Sequence, residues 1–160
     1  MTSPSGHDVV LTASLSLGGA QRALEGAVEH ASAIGVAVCV AVSDSAGHLL
    51  AFARMDGAPL LSASLAQDKA YTVASFGGLA THDWFDLIKD EPPLLHGIVK
   101  TDRLIVFGGG VPVRSGDRLV GAVGVSGGSA SKTARSQRPA RRWCPVDPWL
   151  PVSNQVGDVQ

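Results

Sequence analysis

Aromatic residues are scarce in this 160-residue chain, at 5%, and charged residues reach only 17%. With so few large rings, a core must be filled by Ala, Val and Leu, with backbones drawn close together. Low charge beside an apolar fraction of 45% excludes a disordered, charge-rich chain. A formal net charge of −1 gives neither nucleic acid nor an anionic membrane an electrostatic handle. Cysteine is nearly missing. Cys39 lies in an apolar run and reads as a buried small hydrophobe, Cys144 is far away, and no paired-cysteine metal spacing exists. No stretch approaches the roughly 20 apolar residues of a membrane span. The start, MTSPSGHDVV, lacks the basic and long apolar regions of a secretory leader, so the cytoplasm is the expected location.

What is present is glycine, 19 residues of it, set among periodic segments. Leu17, Leu24, Ala27, Val28 and Ala31 fall at helical spacing within a helix predicted from Ala13 to Ile34, with Gly35 placed to end it. Val36 to Val42 is a continuous apolar run that predicts a central strand. Asp44-Ser45-Ala46-Gly47 reads as a tight turn, and His48 to Arg54 as the second strand of a hairpin. After the loop Met55 to Pro59, a helix is predicted from Leu60 to about Phe76, with a stripe of small residues at Ala63, Ala66, Ala70, Ala74 and Gly77. Thr81 is placed to cap a short helix running through Ile88, which Pro92-Pro93 should end. Leu104 to Phe107, Val111 to Arg114 and Leu119 to Ser126 read as strands, with Gly108-Gly109-Gly110 breaking the first from the second. Helix, hairpin, helices and three strands imply an α+β layout, an antiparallel sheet with helices packed on it.

Composition shifts after Gly128. Residues 1–128 hold 8 basic and 12 acidic residues, a net of −4, whereas residues 129–160 hold 5 basic and 2 acidic residues, a net of +3. Four of the nine prolines and two of the three tryptophans also lie in residues 129–160, and no period is visible from Ser131 to Gln160. The expected organisation is a flexible start over 1–12, one domain over 13–130, and an irregular tail over 131–160.

Three strings in order, VSDSAGHLLAFARMDGA, LSASLAQDKAYTVASF and FGGGVPVRSGDRLVGAVGVSGGSA, carry a resemblance. The chain resembles the GlcG-like and HbpS-like family of haem-binding and haem-degrading domains, which also includes the C-terminal domain of PduO-type proteins. The resemblance covers roughly residues 14 to 130. It implies a profilin-like fold with a five-stranded antiparallel sheet, and a homo-oligomer, often an octamer. It also implies an Ala-rich C-terminal helix where this chain reads SKTARSQRPARRWC. With GC-rich codons read two bases later, that stretch can give EQDRAVAEAGAAVV, which is consistent with a frameshift.

Several residues could carry chemistry. Arg54 and Asp56 stand where the second strand meets its loop; they form either an anion contact or a salt bridge that fixes the loop. Lys69 sits midway along a helix of apolar and small residues, where it either meets a ligand carboxylate, acts as a general base, pairs with Asp68 or Asp56, or snorkels to water. The Gly109 and Gly110 amides could face an anion or simply bend a strand, and Ser126 could close the same pocket. For a haem iron the candidate ligands are His30, His48, His82 and His96; no pair has zinc spacing.

Two functions follow. One is a small-molecule-binding module for haem or a related tetrapyrrole, used in storage, sensing or degradation, as the resemblance implies. The other is a cofactor-free enzyme acting on a small carboxylated or carbonyl metabolite, with Lys69 or Asp56 moving a proton and the glycine amides holding an oxyanion.

Overall fold

The computed structural model describes residues 10–127. The expectations about the residues before 10, about Cys144, and about the tail with its replaced helix lie outside the described residues.

Helix α1 spans Leu17–Ala33, four residues shorter at its start than the apolar spacing predicts. Ser16 is the reason: its side chain accepts the Gly19 N–H at 3.2 Å, and Leu15 just before it spends its own N–H on Val120 O at 2.7 Å. The far end is closed by Gly35 in the left-handed region, φ 68°. There Val36 N–H bonds Ala31 O and Gly35 N–H bonds Ser32 O, which satisfies two orphan carbonyls of the last turn.

Strands β1 (Val38–Asp44) and β2 (Leu49–Arg54) form the expected hairpin. The Asp44 carboxylate builds its turn by accepting the Ala46 and His48 N–H groups at 2.9 and 2.8 Å. Helix α2 (Leu61–Ser75), the short helices α3 (Trp84–Ile88) and α4 (Pro92–Gly97), a single 3-10 turn (Ile98–Lys100), and strands β3 (Gly110–Ser115) and β4 (Arg118–Gly127) complete the elements among the described residues. The sheet is antiparallel throughout, in the order β2-β1-β4-β3.

Strand alternation sorts the core into two layers. Val38, Val40, Val42, Val123 and Val125 face Ala20, Ala27 and Ala31 of α1. Cys39, Ala41 and Ala122 face Ala66, Ala70, Val73 and Ala74 of α2. β1 reads as an unbroken apolar run because both of its faces are covered. The small-residue stripe of α2 permits a close approach to β4: a Cβ at Gly124 would run into Ala66 O and lie 2.7 Å from Ala70 N. Ala66, Ala70 and Ala74 are buried, and Ala63 is half-buried.

Three expectations are corrected. The sheet has four strands among the described residues, because Leu104 to Phe107 is not a strand. Arg103 before it takes a left-handed backbone, φ 61°, and the Ile105 N–H goes to Thr72 Oγ1 at 3.0 Å instead of to a neighbouring strand. Pro92 and Pro93 open α4 rather than ending α3, since a proline at the start of a helix lacks only an N–H that would be orphaned anyway. Thr81 caps no helix. It pins the first residue of β3, its hydroxyl accepting the Gly110 N–H at 2.8 Å and its own N–H donating to Gly110 O at 3.0 Å.

Candidate functional site

The buried face of α2 delivers Lys69 to the end of β4. Its side chain is only 5% exposed, and the ammonium donates to Val125 O at 3.1 Å. Phe107 lies over it, with the ring centroid 4.9 Å from Nζ. Gly109 packs so close that a Cβ there would come within 2.8 Å of Nζ, and one at Gly110 would lie 2.9 Å from Lys69 O. Gly109 also has φ 119°, so glycine is required on both counts. Burial pushes the Lys69 amine down to about 8. Lys69, Gly109 and Gly110 are thus brought together. Neither Asp68 nor Asp56 pairs with Lys69 among the described residues; Asp68 is taken by Arg103.

The strand register places Arg54, Cys39 and Ser126 side by side on three adjacent strands. Two interstrand spacings of about 4.8 Å put Arg54 roughly 10 Å from Ser126. Ser126 is buried at the Lys69 end of β4. Arg54 instead turns to the following loop, where Nε and Nη2 donate to Ala58 O at 3.2 and 2.7 Å. With Asp56 it borders a separate groove of about 420 Å³ floored by Val28, Ala53 and Met55. No ion pair joins Arg54 to Asp56 among the described residues. Burial raises the Cys39 thiol, against the pull of the Arg54 charge.

Of the histidines, His30 and His96 are exposed near the ends of α1 and α4, and His82 stands 3.5 Å from Asp83. His48 is different. Its ring is 79% exposed, yet Nδ1 is held 3.1 Å from Asp44 Oδ2. Partial burial, the largest single influence on Asp44, works to raise its pKa; the hydrogen bonds from His48 and Ala46 outweigh it and hold the carboxyl below its ordinary value. Among the described residues no group of three His, Cys, Asp or Glu side chains could hold a bare metal ion.

One cleft was not foreseen. A cleft of about 680 Å³ opens between the β1–β2 turn and α2, bordered by His48, Leu49, Gln67, Asp68, Tyr71 and Arg103. The Arg103 guanidinium lies over the Tyr71 ring, with its central carbon 3.8 Å from the ring centroid, and its Nε donates to Asp68 Oδ1 at 2.9 Å. Thr72 anchors the loop that carries it: its hydroxyl donates to Asp68 O at 2.7 Å and lies 3.0 Å from both Arg103 O and the Ile105 N–H. One signal was available in the sequence, since Asp68, Tyr71 and Thr72 share a helix face at spacings of three and four. Nothing local pointed to Arg103.

These features define a class: a small α+β domain with helices on both faces of an antiparallel sheet, and a polar–aromatic cleft built on its first hairpin and second helix. The family model for haem degrading protein HbpS-like domains matches residues 15–135, and the chain belongs to that family. GlcG of Escherichia coli (strain K12) is 37% identical over 89 residues, 56% of this chain and 63% of GlcG. A crystal structure of a Streptomyces reticuli HbpS double mutant matches with a TM-score of 0.70 at 28% identity, over 83% of this chain and 87% of that one. A crystal structure of a PduOC:heme complex matches with a TM-score of 0.65 at 32% identity, over 74% of this chain and 86% of that one. The motif resemblance is thereby borne out, as is an α+β fold with helices on an antiparallel sheet. No helix among the described residues is long and apolar enough to cross a membrane.

Proposed function

We propose that this domain binds haem or a closely related tetrapyrrole, in the cleft between the β1–β2 turn and α2. The observation that carries the reading is the PduOC:heme complex, a haem-bound structure of the same fold at 32% identity. The residues of the cleft fit such a ligand. A histidine that binds iron commonly has its other ring nitrogen held by a carboxylate, and Asp44 holds His48 Nδ1 in this way, so that His48 would hold the iron through Nε2. Leu49 and the Tyr71 ring add apolar surface. When bound, haem would supply an iron centre for storage, sensing or degradation. The chain's own part is to seat it and to hold the His48 ring in one tautomer. Small-molecule binding of this kind is taken to occur in a homo-oligomer, for which the exposed Leu60, Leu61, Phe85 and Leu87 leave apolar surface.

The test is a haemin titration followed in the Soret region. Wild type should give a stoichiometric, shifted band, and His48→Ala should alter its position and weaken binding. An unshifted Soret band in wild type at equal haemin and protein would end the proposal.

One observation favours a second reading, cofactor-free proton transfer on a small carboxylated or carbonyl compound. Lys69 is an amine titrating at about 8 beside the Gly109 and Gly110 backbone. It expects wild type to exchange the α-protons of simple 2-oxo acids with D2O, and Lys69→Met, still folded, not to. No exchange above the buffer rate in wild type would remove it.

A further inference from the structure

Arg103 is a non-glycine residue held at φ 61°, a conformation that is strained for a residue with a Cβ. Such strain persists only where the surroundings over-determine it, and here they do. Thr72 Oγ1 holds the Arg103 carbonyl, Asp68 takes Nε, and the guanidinium carbon lies over the Tyr71 ring. These contacts fix the fork without using its outer edge. Asp68 accepts from Nε alone, and the two Nη groups have no partner among the described residues. They are carried on the wall of the 680 Å³ cleft, where His48 is the only other basic side chain among the lining residues. A guanidinium held over a ring and bonded to a carboxylate through Nε, with its Nη edge left over, can meet a second, planar carboxylate with two parallel hydrogen bonds.

We propose that Arg103 is the carboxylate-recognition residue of this cleft, and that it selects ligands bearing a carboxylate on a planar, largely apolar body. The inference rests on the tetrapyrrole reading for the identity of that body, and it assigns the ligand's acid side chains to Arg103 rather than to Lys69 or Arg54. Lys69 has its ammonium on Val125 O and is buried, and Arg54 is turned to Ala58 O beside a different groove.

The experiment uses the full chain with iron-free protoporphyrin IX and its dimethyl ester, so that His48 ligation plays no part, and reads porphyrin fluorescence on titration. Wild type should bind the free acid roughly ten- to a hundredfold more tightly than the ester, the range expected for hydrogen bonds to a charged group. Arg103→Gly should bring the two affinities level. Glycine adopts the local backbone conformation without strain, so this variant keeps the fold, and its melting curve checks that. Equal affinities in wild type, a preference that survives in Arg103→Gly, or binding of haemin but of neither iron-free porphyrin would each overturn the role of Arg103. In the first two results, and in the third, a shifted haemin Soret band would leave the haem reading standing. Failure of haemin and both porphyrins to bind would remove the two together.

Discussion

Lys69 should make this domain more stable as the solution becomes alkaline, and Lys69→Met should abolish that gain. The folded amine titrates at about 8 against 10.5 ordinarily, because burial penalises its charged form. The folded pKa is therefore below the unfolded one. Between those values the unfolded chain holds a proton that the folded chain has released, so stability rises with pH across the window. Below pH 8 both states are protonated and the folded state carries the whole cost. The gap is worth up to ~3 kcal/mol at about 1.4 kcal/mol per pH unit; allowing for solvent screening, a gain on the order of 2 kcal/mol is expected. Methionine fills the space of the lysine stem without a charge, and gives up a hydrogen bond to Val125 O worth about 1 kcal/mol. At neutral pH the two effects oppose each other, so the decisive quantity is the slope. Urea unfolding at about pH 7 and about pH 10 should show wild type gaining on the order of 2 kcal/mol relative to Lys69→Met. Taking this difference removes the contribution of other groups that titrate in the same range. Parallel pH dependence in the two proteins would refute the reasoning.

Gly124→Ala places a Cβ against the backbone of α2 at Ala66 and Ala70; it should cost more than about 3 kcal/mol or abolish folding, read by thermal melting. Ala70→Leu, on the same buried stripe, should cost roughly 1–3 kcal/mol, and an unchanged melting temperature would contradict the packing. Thr72→Val leaves the Ile105 N–H without its acceptor and frees the Arg103 carbonyl, costing about 1–3 kcal/mol, with faster hydrogen exchange at the Ile105 amide as the local check. Asp44→Asn tests the turn. The lowered pKa of Asp44 means its contribution is present above about pH 4, the ordinary carboxylate range, and is lost as pH falls through the folded value. The variant should therefore be less stable than wild type near neutrality and should converge with it in acid; a constant gap would argue against the charge.

Much of the scaffold was legible from local pattern. Gly35 ended a helix, Asp44 to Gly47 made a turn, and the unbroken apolar run into β1 marked a strand covered on both sides. The Ala66, Ala70 and Ala74 stripe announced a close contact, and the strand opposite is the one that carries Gly124. These features are legible because each depends on residues a few positions apart, within reach of helical or strand periodicity and of turn chemistry. The candidate sites were legible only in part. Lys69 was conspicuous as a charge among small residues, but its partner, the Val125 carbonyl, is 56 residues away. Asp68 looked like a partner for Lys69, yet it serves Arg103, which is 35 residues away. Leu104 to Phe107 has the composition of a strand and is not one, because the Ile105 N–H finds a hydroxyl on α2, 33 residues back, while Arg103 turns left-handed beside it. Such choices belong to the tertiary structure alone. Which backbone and side-chain groups satisfy one another across a buried interface is set by the packing of distant segments, and no local period records it.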